Sequence, residues 1–534
     1  MIHILMVAAE NGALSGGKVG GIGDVVRDVP MALADQGCRV SVITPAYGFL
    51  HRTASGTSPA ELVVHFGGQR QTAFCHTLGP EIDYPGVSHH VIDSPRFTAF
   101  DPVRNTHRIY VDDPPDQPFA SDASKFAFFC LTVAEALKQG LFEAVTHLHL
   151  HDWHAALLLF LRAYHPAYRT LQALSTIYTI HNLGLQGIRP FDGHASSLHA
   201  WFPGIAYDRQ TVVDPRWNAI NPMAMGIRLA ERVHTVSPSY AAEILQPSER
   251  PHFYGGEGLE NDLRQAKRQE RLFGILNGCT YPQNRAAPQP CVEALIRLLK
   301  QTVMTWAGMT ETVLASHFSA YARLAALGER PQPPQTICTS IGRLQPQKVQ
   351  LLEQAGTGPG TGLDRMLDAL ADRGLLILLG TGDAEYERYF TQVCARRENF
   401  LFLNGYSDAC AEALYAVGTL FVMPSSYEPC GISQLLAMRA GQPCLVHAVG
   451  GLRDTVTHDH NGFAFEGRNL TEQVDRMVSV FQAALHLIAG EPDRWQTIRR
   501  NAAATRFPWT LSADLYIDRL YGRVLSTDRH GNDV

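Results

Sequence analysis

The stretch SGGKVGGIGDVV, residues 15–26, sets one lysine among five glycines just ahead of an amphipathic run. Lysine is scarce in this chain, with Lys18, Lys125, Lys138, Lys267, Lys300 and Lys348 the only six. A compact ammonium and the planar guanidinium fork do different work, so rare lysines draw notice, Lys18 and Lys348 above all. Backbone N–H groups around Gly20 and Gly21, at the start of a helix expected from Ile22, can face an anion together with Lys18. The same glycines would equally relieve a plain turn before a helix. A nicotinamide-type fingerprint fits poorly: roughly ten residues of loop separate Ala8 from Gly20, and Val26 stands where a third glycine belongs. A Walker loop ends in Gly-Lys-Ser/Thr, whereas Lys18 precedes the glycines.

Three further stretches carry chemistry. IGRLQPQK places Arg343 and Lys348 five residues apart after an expected strand, where fork and point charge can converge on a diphosphate or remain solvated surface charges. In SSYEPCGISQLLAMRAG, Glu428 precedes Pro429, and Gly431 is expected to open an amphipathic helix. A carboxylate there can bind hydroxyls or stabilise developing positive charge; the alternative is a helix cap. HLHLHDWHAAL holds His147, His149, His151 and His154. Its alternation suggests a metal face, but no carboxylate or cysteine cluster outside the stretch is evident to complete a site and the chain has no Asp-x-Asp, so no metal site is assigned. His147 and His149 are expected inside a strand, with His151, Asp152 and His154 at its carboxyl end, where a substrate would sit.

These motifs need strand ends to stand on. Apolar strands are expected at Ile2–Ala8, Arg39–Ile43, His147–Leu150, Thr176–Ile180, Arg232–Val236 and Phe273–Leu276. A second set is expected at Thr336–Ile341, Leu375–Leu379, Phe400–Leu403, Thr419–Met423 and Cys444–His447. Helical patterns such as Ile22–Gln36, Lys125–Gln139 and His154–Tyr164 alternate with them. That alternation predicts two α/β domains with doubly wound parallel sheets, and almost every glycine-rich motif follows a strand, the ligand-binding edge of such sheets. The expected division is an N-terminal domain over 1–280, a proline-rich hinge or insertion over 281–335, a C-terminal domain over 336–505, and a helix at 506–534 returning to the first domain. Two such domains facing each other would form a cleft.

Bulk composition narrows the class. The 534 residues are 45% hydrophobic and 18% charged, as in ordinary globular proteins, and suit two or three domains. A formal net charge of -6 argues against a nucleic-acid partner. No window approaches the ~20 apolar residues of a membrane span. The opening MIHILMVAAE lacks the features of a signal peptide, and ten scattered cysteines contain no C-x-x-C pair, so a cytoplasmic protein is expected.

Taken in order, the motifs resemble the bacterial glycogen synthase and plant starch synthase family. KVGGIGDVV, HDWHAAL, TIHNLGLQG, TVSPSYAAEI and YGGEGLENDL with RLFGILNG look like its first-domain motifs; GRLQPQK, GTGD, NGYSD, EPCGISQLLAMRAGQPCLV and VGGLRDTV look like those of its second. The resemblance covers most of the chain outside 280–335. It implies a GT-B fold of two Rossmann-like domains around a deep cleft. It implies transfer of glucose from ADP-glucose to the non-reducing end of an α-1,4-glucan with retention of configuration, and no metal or other cofactor. It implies that Lys18, Gly20 and Gly21 lie near the diphosphate and sugar, that Arg343 and Lys348 grip the diphosphate, and that His154 and Glu428 contact the donor glucose. Tyr406 is implied to pack on the adenine and Ser433 to lie near the phosphates, with Asp24, Asp152, Asn182, Cys430, Gly431 and Ile432 also at the substrate.

The chain also departs from the family. VQLLEQAGTGPGTG follows Lys348, NGCTYPQN replaces the usual hinge motif, and Val449 stands where threonine is common. These departures leave two other readings in play. One is a retaining GT-B enzyme with another donor, such as UDP-glucose, or a small acceptor. The other is a catalytically weak, glucan-binding or regulatory GT-B protein. Oligomeric state is not legible in the sequence.

Overall fold

In the computed structural model, which describes residues 2–53, 58–79, 84–101, 106–281, 291–309 and 312–522, the run HILMV forms strand β1 (His3–Val7), buried at every position. Strands covered on both faces read as continuous apolar runs, which explains why β1 is legible in the sequence. The remaining strands of the first part are β2 (Arg39–Pro45), β3 (Ala60–Phe66), β4 (Gln69–Leu78), β5 (Val87–Asp93), β6 (Phe100–Asp101), β7 (Thr106–His107), β8 (His147–His151), β9 (Ser175–Ile180), β10 (Arg232–Thr235) and β11 (Leu272–Gly274). Nine of them make one sheet in the order β11-β10-β9-β8-β1-β2-β5-β4-β3, and β6 pairs only with β7. The sheet is not wholly parallel as expected: β4 runs antiparallel to both β3 and β5. This edge escapes sequence reading because β4, QRQTAFCHTL, buries little besides Ala73, Cys75 and Leu78.

The second part carries β12 (Thr336–Ile341), β13 (Gly374–Leu379), β14 (Phe400–Leu403), β15 (Leu420–Met423), β16 (Cys444–His447) and β17 (Gly462–Phe465). They form a parallel sheet in the order β14-β13-β12-β15-β16-β17. Counted from its own first strand this is 3-2-1-4-5-6, the doubly wound nucleotide-binding order. Two apolar layers cover it, one including Leu363, Phe390, Phe481 and Trp495, the other Leu295, Leu324, Leu414 and Leu452.

The chain divides into two compact units. The first holds residues up to Ser248, Gly255–Gly278 and the segment from Trp509; the second holds Glu249–Tyr254 and Cys279–Pro508. Within the stretch expected to be a hinge, helices Val292–Gly308 and Ala315–Glu329 bury Leu295, Leu299 and Leu324 beside Ile337, Leu375 and Leu401 of the second sheet. Each such side chain contributes about 1.5–3 kcal/mol by leaving water, so these helices belong to the second core. Glu249–Tyr254 is held to the second unit by Gln350 Nε2 donating to the Pro251 carbonyl and Gln473 Nε2 to that of His252, both at 3.1 Å. The expected helix from 506 begins instead at Trp509, whose Nε1 donates to Asp28 Oδ2 at 3.1 Å; residues 523–534 lie outside those described.

That returning segment also answers for the histidines of β8. His147, His149 and His151 share one face of the strand, as alternation predicts. His149 Nδ1 bonds the Tyr521 hydroxyl at 2.6 Å and its Nε2 bonds Thr179 Oγ1 at 2.6 Å, while Thr179 Oγ1 also bonds His234 Nδ1 at 2.9 Å. His151 Nδ1 bonds His181 Nε2 at 2.9 Å. Buried polar groups are tolerated when paired, and these pair with each other and with hydroxyls.

Burial holds all four imidazoles neutral: His181 and His234 are pushed down to about 3, His149 and His151 well below their ordinary value. Unfolded, they titrate near ~6.5, so below that pH the unfolded chain binds more protons and stability falls as pH drops. Asp152, pushed up to about 7 by burial, acts in the opposite sense, because the folded chain keeps a proton that the unfolded chain releases above ~3.9. These four, with His154 also lowered to about 3 and His89, His90 and His447 to about 4 by burial, outweigh Asp152 and leave net acid destabilisation, up to about 1.4 kcal/mol per pH unit for each unbalanced proton. The urea midpoint is therefore expected to fall between pH 7.5 and 5; a constant or rising midpoint would contradict this account.

Candidate active site

In the first sheet the chain leaves β1 for β2 on one side and later returns to β8 on the other. Such a reversal opens a crevice at the carboxyl ends of the two strands. The loop after β1 supplies Glu10 and Lys18, and the first turn of the helix that directly follows β8 supplies Asp152 and His154. Lys18 Nζ donates to Asp24 Oδ1 at 2.7 Å, and Arg27 Nη1 stands 3.3 Å from the same oxygen. The lysine stem lies against Gly23, where an added Cβ would come within 2.9 Å of Lys18 Cγ.

The glycine loop differs from the sequence expectation in one respect. The helix starts at Gly21, but the Val19 and Gly20 N–H groups do not face outward toward an anion. Both donate to Glu10 Oε2, at 2.8 and 2.7 Å, and the Tyr110 hydroxyl donates to Glu10 Oε1 at 2.8 Å. Glu10 is 2% exposed. Its only sequence signal is its place two residues after a buried alanine at the end of the first strand.

Asp152 opens the helix Asp152–Tyr164 in a left-handed conformation, φ +54°. Its buried Oδ1 accepts the His181 N–H at 2.7 Å and the Asn182 N–H at 3.4 Å, so the Asp152–Asn182 pairing is one of backbone to carboxylate. The Asn182 side chain folds back to accept the Gly184 N–H at 2.7 Å. His154, expected at a substrate-facing edge, is 6% exposed and packed among Trp153, Phe126 and Tyr110, with ring centroids 4.3, 4.7 and 5.4 Å away. Burial pushes it down to about 3, and its Nδ1 has no partner. The half-buried imidazole at this edge is His181, which follows β9 inside the TIHN motif and was not singled out by its sequence.

In the second sheet the same reversal lies between β12 and β15. After β12 the chain runs through Gly342 and Arg343 into the helix Pro346–Glu353, which carries Lys348. After β15 it runs through Ser425 to Glu428. The Ser426 N–H donates to the Gln347 carbonyl at 2.8 Å, docking the helix on the facing loop. Lys348 Nζ consequently forms an ion pair with Glu428 Oε2, which also accepts from Ser425 Oγ at 3.2 Å. The pair is largely buried, with side chains 19% and 7% exposed. Gly450, at φ +45°, lets the loop of β16 close on the Glu428 carbonyl, 2.0 Å from where a Cβ would stand. Arg343 is exposed, and its guanidinium pairs with no described residue.

The other expected residues spread outward from this pair. Cys430 is buried, and its carbonyl accepts from Gln434 Nε2 at 3.1 Å, as does that of Gly431. The helix expected from Gly431 starts at Ser433, after Gly431 at φ +79° and Ile432 as N-cap. Tyr406 stands 58% exposed beyond β14, its hydroxyl donating to Asp408 Oδ1 at 2.8 Å. The segment inserted after Lys348 is tied elsewhere: its Thr357 bonds the Asp475 carboxylate of the helix Leu470–Gly490, as does Arg365 of the helix that follows it. Val449 serves as N-cap of the helix Gly450–Thr455 but has no hydroxyl to cap it with. Among the described residues no group of three or more His, Cys, Asp or Glu side chains is arranged to hold a metal ion, and no helix is long and apolar enough to cross a membrane.

The starch synthase catalytic domain matches residues 3–265 and the group 1 glycosyl transferase domain matches residues 356–487. A glycogen synthase of Streptococcus sanguinis is 32% identical over 98% of this chain and 100% of its own length. The chain belongs to the glycogen synthase family. A second member, from Desulfitobacterium hafniense, is 29% identical over 94% of this chain and 95% of its own. In fold, the catalytic domain of starch synthase IV from Arabidopsis thaliana, solved with ADP and acarbose, superposes with a TM-score of 0.72 at 24% identity, covering 97% of this chain and 98% of that one. The fold is accordingly GT-B, and the protein is a glycosyltransferase.

Asp152 tests how this family's first edge is built. Asp152→Ala removes the acceptor of a backbone N–H and places a methyl side chain at positive φ, so a loss of about 1–3 kcal/mol is expected in urea unfolding. Asp152→Asn keeps an oxygen acceptor and tolerates that conformation, and should lose less than half as much. Equal losses would contradict the assigned hydrogen bonds.

Proposed function

We propose that the protein is a retaining glucosyltransferase that moves glucose from ADP-glucose to the non-reducing 4-hydroxyl of an α-1,4-glucan, in the cytoplasm and without a metal. The observation that carries the reading is the meeting of Lys348 and Glu428 at the reversal of the second sheet, in a chain matched along its length by glycogen synthases.

Breaking a sugar–diphosphate bond builds positive charge at the anomeric carbon and negative charge on the departing phosphate. On this reading Arg343 and Lys348 stabilise the leaving diphosphate, and positioned charges of this kind supply much of the rate enhancement of group transfer. A diphosphate entering beside Lys348 competes with Glu428 for the ammonium. That exchange frees the carboxylate for the sugar hydroxyls and the charge developing on the ring. Departing phosphate can take the proton of the incoming hydroxyl on the same face, which preserves configuration and requires no dedicated protein base. The family resemblance further assigns Lys18, Gly20, Gly21, Asp24, Asp152, His154 and Asn182 to the substrate. It assigns Tyr406 to the adenine, and Cys430, Gly431, Ile432 and Ser433 to the phosphates and sugar.

Incubation with labelled ADP-glucose or UDP-glucose and a maltooligosaccharide, followed by product sizing, tests the reaction. Extension with ADP-glucose is expected; extension with UDP-glucose alone would move the donor assignment, and none with either would favour a binding protein. Lys348→Ala and Glu428→Ala should each lower kcat by about 10²–10⁴-fold. Each strands one member of a buried pair, so unfolding midpoints must be measured alongside. Near-normal turnover in both variants would sink the assignment.

A further inference from the structure

The glycine loop has an internal anion. Glu10 follows β1 and turns its carboxylate under the loop, where one oxygen takes both the Val19 and Gly20 N–H groups and the other takes the Tyr110 hydroxyl. Three donors on a 2%-exposed carboxylate are a built arrangement, because an acceptor withdrawn from buried N–H groups leaves each at a cost of about 1–3 kcal/mol. The loop is braced further by backbone bonds, the Asn11 N–H donating to Gly17 O at 2.8 Å and the Gly12 N–H to Gly23 O at 3.0 Å, and by side chains, Asn11 Oδ1 accepting the Ala13 N–H at 3.0 Å and Lys18 Nζ donating to Asp24 Oδ1 at 2.7 Å. Tyr110 extends the brace, since its ring packs 5.4 Å from His154 and 6.3 Å from Phe126. Lys18 stands one residue before the clamped amides and is the loop's exposed cation, its side chain 40% exposed.

We propose that Glu10 is a positioning residue for the donor: it occupies the two loop amides that an anionic ligand would otherwise take, and so leaves the diphosphate–sugar end of the substrate to Lys18 and the start of the helix at Gly21. The proposal rests on the glucosyltransfer reading. Charge is not the operative property, because the bonds ask for one oxygen that accepts twice and one partner for a hydroxyl. Glutamine supplies both, its amide oxygen accepting the two N–H groups and its NH₂ donating to the Tyr110 oxygen. Aspartate is shorter by one C–C bond, about 1.5 Å, and cannot span the gap.

Kinetics of Glu10→Gln, Glu10→Asp and Tyr110→Phe with ADP-glucose and glycogen test this. Glu10→Asp should raise the KM for ADP-glucose about tenfold with the KM for glycogen within about twofold, and Glu10→Gln should stay within about threefold of the parent on both. A merely structural loss lowers the active fraction and moves neither KM. Tyr110→Phe, which spares the loop amides, should raise the ADP-glucose KM about threefold and covers the case in which Glu10→Asp does not fold. Parental KM values in Glu10→Asp and Tyr110→Phe, or a Glu10→Gln enzyme as impaired as Glu10→Asp, would overturn the proposal. If the parent extends no glucan, the glucosyltransfer reading fails on its own. The clamp is then judged by amide exchange at Val19 and Gly20, slow in the parent and Glu10→Gln and at least about tenfold faster in Glu10→Asp; equal rates would overturn it.

Discussion

Reversal of strand order is the constraint on which both halves of this protein depend. A parallel sheet that grows outward in both directions from its first strand leaves one pair of neighbours whose following segments diverge, and only there can two loops face each other across open space. In the second sheet the pair is β12 and β15, and the segments that follow them carry Lys348, on a helix, and Glu428, on a loop. In the first it is β1 and β8, where the loop after β1 carries Glu10 with Lys18 and the helix after β8 carries Asp152 with His154. Residues 80 positions apart in sequence become ion-pair partners because the crossover connections return each strand to its place.

Such edges gather polar groups where burial is deep, and the chain handles that by satisfying them internally. Glu10 takes three donors, Asp152 takes two backbone N–H groups, and Lys348 takes Glu428. The histidines of β8 and β10 are linked through Thr179 and Tyr521, so the segment returning after Trp509 completes the first unit's polar interior as well as its apolar one. A buried ion pair contributes little net stability, because desolvation offsets attraction. On the proposed reading, Lys348 and Glu428 are charges held ready for exchange with a ligand.

Much of this was legible in the sequence because central parallel strands are apolar throughout. The expectation for β12, Thr336–Ile341, matches the strand residue for residue, and so do those for β14 and β16. The antiparallel edge β3–β4 and strand β5 with its two histidines were missed, since half-exposed or polar strands carry no such run, and β17 was missed because its apolar run is only four residues long. At the site, motif position marked Lys18, Arg343, Lys348 and Glu428. It did not mark Glu10, whose role lies in which N–H groups its oxygens reach, or His181, distinguished from His154 only by exposure at the strand edge. The glycines suggested outward-facing amides, and a carboxylate eight residues upstream of Lys18 holds them instead. Side-chain pairing across a fold leaves no periodic trace in sequence.

On the proposed reading, the nucleotide's phosphates sit at the reversal between β12 and β15. A crystal structure of the protein with ADP tests it most directly. The account predicts phosphate oxygens within hydrogen-bonding distance of Lys348 Nζ and the Arg343 guanidinium, with Glu428 released from the lysine. ADP bound elsewhere, or bound while the Lys348–Glu428 pair stays closed, would contradict it.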